Sequence, residues 1–293
     1  MTKKFWKFVT EDGCSPGKFG KIKYIPGGTI EVEDADPNTK KQCASGIHCL
    51  DFSDGMYDDE NIIFGPKVAI LEVNEEDIIY YRKGGKCRVE KAKVLEIKEP
   101  ELWMRTGNNN PAWSLDCAYI CGHHPDLMQV IIGVQDARYA YCYARDVLER
   151  HDETLMEIII NSNDLHYSYL YAREVLKGHD ERLMQVIIDS KSAQYAYYYA
   201  KSILKRHDER LMKIICNSSN VTYAYDYAYK IIKRHDEGLM QVIINAQDAE
   251  CAYCYARDVL KGHSEKLMNV IRESSYYQDL YEKYLIEKEK NND

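Results

Sequence analysis

The sequence predicts an α+β protein: a small antiparallel-sheet domain over residues 1–105, followed by an α-solenoid of 28-residue helical hairpins over residues 111–293. Two observations carry this prediction. Residues 1–105 contain short β-type runs and no repeat, whereas a histidine and a Leu-Met pair return every 28 residues through the rest of the chain. Self-similarity at a fixed step of this length is the sequence signature of repeat architectures.

Composition is that of a globular protein without a nucleic-acid-binding surface. Hydrophobic residues make up 45% and charged residues 29% of the 293 residues, enough for two domains with cores of their own. Residues 1–105 carry 17 Lys and Arg against 19 Asp and Glu, and the remainder carries 22 against 28, so neither part is basic. Because phosphate binding needs clustered Lys and Arg, direct nucleic-acid binding is not expected.

Apolar runs in the sequence are short. The N-terminal residues show no secretory signal, and no run approaches the roughly 18 apolar residues that would predict a membrane span. We therefore expect a cytoplasmic protein without membrane contact.

Short β-type runs follow one another through the first domain, at 5–9, 21–25, 29–32 and 68–73. The step Gly84-Gly85 joins two further runs, 78–83 and 86–97, and predicts a hairpin. These runs favour a small antiparallel sheet. The segment RTGNNNP, 105–111, is the expected linker to the repeats.

Each repeat predicts two short antiparallel helices. In the unit 139–166, apolar residues fall on one helical face between 140 and 148 and on another between 155 and 160. With about 11 residues per helix, about 3 residues remain for each turn, and such short connections make neighbouring helices antiparallel. Because one hairpin leaves an apolar face uncovered, six successive units over 111–278 must stack, and an amphipathic C-terminal segment caps them.

An acceptor side chain precedes each predicted second helix. Its oxygen can accept hydrogen bonds from the first free amide groups of the helix, which predicts a series of N-caps. These residues are Asp152, Asp180, Asp208, Asp236 and Ser264.

The histidine before each cap invites a metal-binding hypothesis, with His123, His151, His179, His207, His235 and His263 in register. Adjacent helices lie about 8 to 10 Å apart, whereas two nitrogens on one zinc at about 2.0 Å must lie much closer to each other. We therefore expect a turn histidine packed beside the cap, and neither metal nor cofactor. Cys251 and Cys254, and the N-terminal Cys14, Cys43, Cys49 and Cys87, are expected to be packed thiols.

The repeat signature is YAYYYAKSILKR at 195–206 and CAYCYARDVLKG at 251–262. It resembles the Tyr-Ala-Tyr repeats of bacteriophage and prophage proteins, whose N-terminal domain of unknown function often carries a Ser-Gly-Phe-His-Ala-Cys turn. The segment 45–49, SGIHC, is similar to that turn. The resemblance implies a viral or prophage setting, with the host cytoplasm as location, and it assigns no activity.

A second resemblance concerns the first domain alone. The segment SGIHCLDFSDG followed by KVAILEVN looks like the turn and strand that line the NAD pocket of mono-ADP-ribosyltransferase-type folds. In that resemblance Gly46 and His48 belong to the pocket, and Glu90 or Glu96 orients the ribose or the acceptor.

Tyrosine is the most informative residue type for function, with 25 Tyr against 5 Phe. One interpretation packs the rings between helices with their hydroxyl groups on water or a carbonyl oxygen. The other exposes part of the ladder as rigid anchors for a protein partner. The ladder residues are Tyr139, Tyr141, Tyr167, Tyr169, Tyr195, Tyr197, Tyr223, Tyr225 and Tyr253.

Three functions stay open at this stage. The first is a protein-interaction module that occupies the surface of a host protein, such as a bacterial defence or CRISPR nuclease. The second is an NAD-dependent ADP-ribosyltransferase-like enzyme in the first domain, which the repeats would bring to its target. The third is an oligomeric scaffold.

Overall fold

The fold of a computed structural model is described for residues 1–16, 22–41, 44–52, 62–83 and 85–290. The chain forms two compact units, Met1–Ile158 and Ile159–Asp293, called unit 1 and unit 2 below. Unit 1 contains an antiparallel sheet and the first helices, and unit 2 contains the later helical hairpins. The predicted α+β class with a helical repeat region is confirmed.

One antiparallel sheet accounts for the strands of the described residues, in the order β2-β7-β4-β1-β3-β6-β5. The strands are β1 Thr2–Val9, β2 Thr29–Glu31, β3 Ile47–Asp51, β4 Lys67–Asn74, β5 Ile78–Tyr80, β6 Lys86–Val89 and β7 Lys91–Lys98, with a 3-10 turn at Glu75–Asp77. The predicted runs 5–9, 29–32 and 68–73 lie in β1, β2 and β4. The predicted hairpin is confirmed, because β5 pairs with β6, although Gly84 itself lies outside the described residues.

Two parts of the sheet differ from expectation. In the run 21–25, the described residues 22–25 form one isolated bridge, between Cys14 and Lys23, and no strand. The segment at Ile47–Asp51, interpreted from sequence as a turn, is a strand paired with both β1 and β6. Its side chains alternate between two covered faces, so it lacks the polar alternation that marks a half-exposed strand.

Both faces of β1 are buried. Phe5 and Val9 belong to one apolar core with residues of the neighbouring strands. On the other face, Trp6 and Phe8 pack against Trp113, with ring centroids 6.5 and 6.3 Å away. A helix therefore covers this side of the sheet.

The segment 105–111 is a tight turn between two helices, where the sequence suggested a linker. Gly107 has φ 56°, and a Cβ there would lie 2.3 Å from Cγ of Trp113, so only glycine fits. The indole Nε1 of Trp113 donates to the carbonyl oxygen of Met104 at 3.1 Å, and Asn110 caps the following helix. These contacts fix the turn and place Trp113 in the core under the sheet.

The helices of unit 1 are α1 Leu102–Thr106, α2 Pro111–Cys121, α3 Pro125–Val134, α4 Ala137–Cys142 with its π-helical continuation π1 Tyr143–Leu148, and α5 Glu153–Ser162, which runs into unit 2. Unit 2 continues with α6 Leu165–Leu170, π2 Tyr171–Val175, α7 Glu181–Ser190, α8 Ala193–Tyr199, π3 Ala200–Leu204, α9 Glu209–Cys216, α10 Val221–Asp226, π4 Tyr227–Ile232, α11 Glu237–Ala246, α12 Ala249–Cys254, π5 Tyr255–Leu260, α13 Glu265–Ile271 and α14 Ser275–Lys290. None of the helices in the described part of the chain is sufficiently long and apolar to cross a bilayer.

In the five repeats after the first, the first helix changes from α to π in its second half. A buried alanine lies near the start of each π segment, and a residue of positive φ follows its end or lies within two residues of it. These following residues are Glu149, Lys177, Lys205, Lys233 and Lys261, with φ between 51° and 58°. The π-helix is rare and is usually a single turn, so its return in five successive repeats is a property of the repeat sequence.

The predicted N-caps are confirmed. In unit 2, Oδ1 of Asp180 and Oδ1 of Asp208 each accept from two amide groups of the next helix. Asp236 and Ser264 each accept from one. In unit 1, Oδ1 of Asp152 accepts from the Leu155 amide at 3.1 Å.

Candidate functional site

A fully buried tyrosine lies at each α-to-π junction, either as the last α-helical residue or as the first π-helical residue. We call these tyrosines the inner tyrosine row, and its members are Tyr143, Tyr171, Tyr199, Tyr227 and Tyr255, each 0% exposed. The Tyr199 hydroxyl donates to the carbonyl oxygen of Asp180 at 3.0 Å and accepts from the Asp180 amide at 3.4 Å. Nδ1 of His179 lies 3.2 Å from the same oxygen. One hydroxyl thus connects the first helix of a repeat to the turn within the preceding repeat.

The same arrangement returns at Tyr227 with Asp208 and at Tyr255 with Asp236. Nδ1 of His207 and of His235 again face the hydroxyl, at 3.3 and 3.2 Å. The expectation of a turn histidine packed beside the cap is confirmed.

The last helix makes a similar contact through a tyrosine at a different position of the repeat. The Tyr281 hydroxyl accepts from the Ser264 amide at 3.2 Å and donates to the Gly262 carbonyl oxygen at 3.3 Å. Tyr281 lies 26 residues after Tyr255, two short of the repeat step. The capping helix α14 therefore closes the last turn as an internal helix would.

The nine ladder tyrosines divide by burial. Four are buried, namely Tyr141, Tyr169, Tyr197 and Tyr253, and the other five, Tyr139, Tyr167, Tyr195, Tyr223 and Tyr225, are half-buried. The sequence reasoning named neither the inner tyrosine row nor the accessible Tyr198 and Tyr229. A signal for the inner row was present, since each of its tyrosines is followed by alanine in all five repeats.

Five tyrosines of unit 2 form a continuous group of ring contacts, which we call the tyrosine cluster: Tyr169, Tyr195, Tyr197, Tyr198 and Tyr223. Tyr169 contacts Tyr195 and Tyr198, with centroids 5.9 and 6.1 Å apart. Tyr197 contacts Tyr198 and Tyr223 at 5.6 and 5.5 Å. Tyr169 and Tyr197 are buried, so they form the floor on which three half-exposed rings rest.

The Tyr197 hydroxyl is a buried polar atom of this floor and faces the carboxylate of Asp226. Burial raises its pKa, with a further contribution from that carboxylate. Above it, the Tyr195 hydroxyl lies 3.2 Å from Nδ1 of His166.

A cation lies over the ring of several buried ladder tyrosines. Arg173 lies 5.1 Å from the centroid of Tyr169, and Lys201 lies 5.3 Å from that of Tyr197. Arg257 and Tyr253 form the same pair at 5.0 Å. Such cation–π contacts hold the rings in place and leave the charge in water.

The repeats differ from one another on this face. The cation position holds Arg145, Arg173, Lys201, Tyr229 and Arg257 in turn, and the next position holds Asp146, Glu174, Ser202, Lys230 and Asp258. The position of Tyr198 holds Cys142, Leu170, Asp226 and Cys254 in the other repeats. The outer face of the first helix therefore varies among the repeats around the tyrosine cluster.

The four residues of the NAD hypothesis do not share one pocket. Gly46 has φ 146°, and a Cβ there would lie 2.9 Å from Cγ of Arg88, so this glycine makes room for a buried arginine. Glu90 and Glu96 are exposed, and the strand of Glu96 is separated from β3 by β4 and β1. Only His48 of the four is among the described residues that line a pocket in the sheet. Residues 53–55 of the segment that resembles the NAD turn lie outside the described residues.

The cysteines of the described residues carry thiol side chains. Cys14, Cys49 and Cys87 are buried thiols, as expected, whereas Cys43 lies outside the described residues. Cys251 and Cys254 are half-buried on α12. No group of three or more His, Cys, Asp or Glu side chains that could hold a metal ion is found in the described part of the chain.

Comparisons with known protein families, with curated proteins and with solved structures found no match.

Proposed function

We propose that the chain is a protein-interaction module and that the tyrosine cluster of unit 2 is the centre of its binding surface. The observation that carries the proposal is the contrast within one helix. The inner tyrosine row and the following alanine are identical in the five repeats after the first, whereas the outer positions change and place three half-exposed rings side by side. Repeat proteins keep the residues that stack the units and vary those that meet a ligand.

The physical properties of the cluster suit a protein partner. Tyrosine gives a large contact area at small cost in conformational entropy, and interface hot spots are rich in it. Here the three half-exposed rings are held by ring contacts with the buried Tyr169 and Tyr197, so less freedom is lost on binding. The charge over residues 106–293, with 22 basic against 28 acidic residues, gives no basic surface for nucleic acid.

The expected class of partner is a bacterial host protein. This part of the proposal comes from the resemblance of the repeats to those of bacteriophage proteins, and it makes defence proteins, CRISPR nucleases among them, the first candidates. Occupying such a protein's surface would need no catalytic group in the chain.

The test is a capture experiment with matched variants. The full chain is immobilised and exposed to bacterial lysate, and bound proteins are identified by mass spectrometry. In Tyr195→Ala/Tyr198→Ala/Tyr223→Ala we expect the specific partner to be lost, because each anchor contributes about 1 to 2 kcal/mol of binding free energy.

The matched control places alanine on exposed positions of second helices, Lys213→Ala/Gln241→Ala. This variant should capture the partner as the parent chain does, and both variants should retain the parent's circular dichroism spectrum. Equal capture by the cluster variant and the parent would refute the proposed surface. Capture of nothing but the chain itself, with a concentration-dependent mass in light scattering, would favour the oligomeric scaffold.

A further inference from the structure

Two cysteines of α2 take the places of packing residues in the later repeats. Cys117 precedes the buried Ala118, as each tyrosine of the inner tyrosine row precedes its buried alanine. Cys121 follows four residues later, where the five later repeats have valine or isoleucine, namely Val147, Val175, Ile203, Ile231 and Val259. The first repeat thus replaces a tyrosine and an aliphatic residue by a pair of thiols.

The two thiols lie on one face of the helix and differ in exposure. A spacing of four residues brings side chains next to each other along a helix. Cys117 is 2% exposed, whereas Cys121, the last residue of α2, is exposed. The two side chains share a hydrogen bond, in which the Cys117 thiol donates to a Cys121 thiolate. A reagent in solution therefore reaches Cys121 and not its donor.

A cation lies beside this pair of thiols. Arg105, in α1, lines the same small cleft as Cys117 and Cys121, together with His123 and His124. The described residues that line the cleft include no carboxylate. Its volume is about 50 Å³, well below the size of small-molecule sites. The cleft therefore admits the reacting end of a reagent and leaves the rest of the reagent on the surface.

The carboxylates around the cleft leave most of the charge of Arg105 in place. Oε2 of Glu99 lies 3.9 Å from Nη2 of Arg105, and the Glu99 side chain is 70% exposed, so this ion pair is weak. Oδ2 of Asp126 lies 3.4 Å from Nδ1 of His124. The carbonyl end of α2 acts against a negative charge at Cys121. The guanidinium of Arg105 is the charge that favours a thiolate there.

Cys121 differs from the cysteines of the later repeats in its electrostatics. The hydrogen bond from Cys117, followed by the charge of Arg105, lowers the pKa of Cys121 against the effect of burial. The same hydrogen bond, burial and the carboxylate of Asp116 raise the pKa of Cys117. Because the thiolate is the nucleophilic form of cysteine, reactivity should be concentrated at Cys121. Burial raises the pKa of four half-buried cysteines in the later repeats: Cys142, Cys216, Cys251 and Cys254.

We propose that Cys121 is a modification site that exchanges with low-molecular-weight disulfides carrying carboxylate groups. Cys121 loses its proton to water, and its Sγ attacks one sulfur of the disulfide. A bond forms between these two sulfurs, the S–S bond of the reagent breaks, and its second sulfur leaves as a thiolate. Cys121 is thereby oxidised to a mixed disulfide, and half of the reagent is reduced. Cys117 stabilises the attacking thiolate, and Arg105 attracts the carboxylate groups.

The test follows each cysteine of the full chain by mass spectrometry. Glutathione disulfide, which is anionic, cystamine, which is cationic, and the neutral bis(2-hydroxyethyl) disulfide are compared at one ionic strength. Each rate at Cys121 is divided by the rate at the same residue in the chain unfolded in urea, so that the reactivity of the reagent cancels. Glutathione disulfide should then be favoured over cystamine by about tenfold. An equal or opposite order would overturn the selection for anions.

The pH profile of the reaction with the neutral reagent tests the thiolate itself. The rate at Cys121 should rise at a lower pH in the folded chain than in the unfolded chain, because the folded surroundings favour the thiolate. A midpoint equal to or above that of the unfolded chain would show an ordinary surface thiol and overturn the proposal. The half-buried Cys142 should shift in the opposite direction, which separates this effect from a general property of the fold.

Variants separate the contributions of the donor and the cation. Cys117→Ala and Arg105→Gln should each raise the midpoint at Cys121, whereas Arg105→Lys, which keeps the charge, should leave it near the parent value. Of these variants only Arg105→Gln should remove the preference for glutathione disulfide. Arg150→Gln, at an exposed arginine of unit 1, is the matched control and should change neither readout. If Cys117→Ala and Arg105→Gln keep the parent's midpoint and circular dichroism spectrum, these residues do not support the thiolate, and the proposed site is refuted.

Discussion

Two sets of tyrosines share the first helices of unit 2 and lie one to four residues apart in sequence, yet their surroundings differ. Tyr227, in the inner tyrosine row, is fully buried, and its hydroxyl bonds to the amide and to the carbonyl oxygen of Asp208. Tyr229, two residues later, is 46% exposed and stacks on Tyr225 with centroids 5.7 Å apart. The first kind of tyrosine holds the repeat together, and the second is available to a partner.

The difference separates the tyrosines that stabilise the fold from those that can contact a partner. A substitution in the inner row leaves the amide and carbonyl groups of a turn without partners in a dry interior. A substitution in the tyrosine cluster removes contact area from the surface. Stability and binding should therefore depend on different residues. The substitutions described next test this separation.

The largest effect is expected at Tyr227. Tyr227→Phe keeps the ring and removes the hydroxyl, which leaves the Asp208 amide, the Asp208 carbonyl and Nδ1 of His207 without this partner. We expect a loss of about 1 to 3 kcal/mol in the free energy of unfolding, measured by urea denaturation. Tyr229→Phe is the matched control and should change it by less than about 0.5 kcal/mol. Equal losses in the two variants would contradict the separation.

The tyrosines of this helix also show which features of the repeat can be predicted from sequence. The repeat step, the caps and the two helices per unit follow from apolar spacing and from acceptor residues at fixed offsets, and they were predicted. Which tyrosine is buried was not, because Tyr225 and Tyr227 both fall within an apolar-looking stretch. The change from α to π within that stretch alters the turn, and a helical wheel drawn at 3.6 residues per turn assigns the faces wrongly beyond it.

The sheet was less predictable for a different reason. β1 pairs with β4, more than 60 residues later, and with β3, so the contacts that define it are distant in sequence. Local patterns found β1 and β4 but not β3, whose strand residues are covered on both faces. His48 lines a pocket in the sheet, and it was named from a resemblance, because no local pattern encodes a pocket between strands.

A smaller effect is expected from acid, through the caps beside the inner row. Burial opposes ionisation of Asp180 and Asp208, but hydrogen bonds from Arg182 and Arg210 and from backbone amides outweigh it and lower the pKa of both carboxyl groups. A lowered folded pKa means that the caps stabilise fully above the unfolded value near 3.9. The stabilisation is lost as pH falls below that value through the folded pKa.

The measurement compares the parent chain with Asp180→Asn/Asp208→Asn between pH 7 and pH 3. Asparagine is a good N-cap and does not titrate, so the variant should lose less free energy of unfolding than the parent over the last unit of pH. Parallel curves for the two proteins would show that these caps contribute no acid sensitivity.

The smallest effect concerns backbone conformation at the end of the first helix. Lys233 is exposed and has φ 58°, a conformation in which a Cβ is strained. Lys233→Gly should therefore be more stable than Lys233→Ala by about 1 kcal/mol, and the comparison cancels the loss of the charge in both. At Lys213, an exposed position inside α9, the order should reverse by about the same amount, because glycine is disfavoured within a helix. If glycine is the weaker residue at both positions, the left-handed end of π4 is not a fixed part of the repeat. The identical positive φ at Lys177, Lys205 and Lys261 would then also need another explanation.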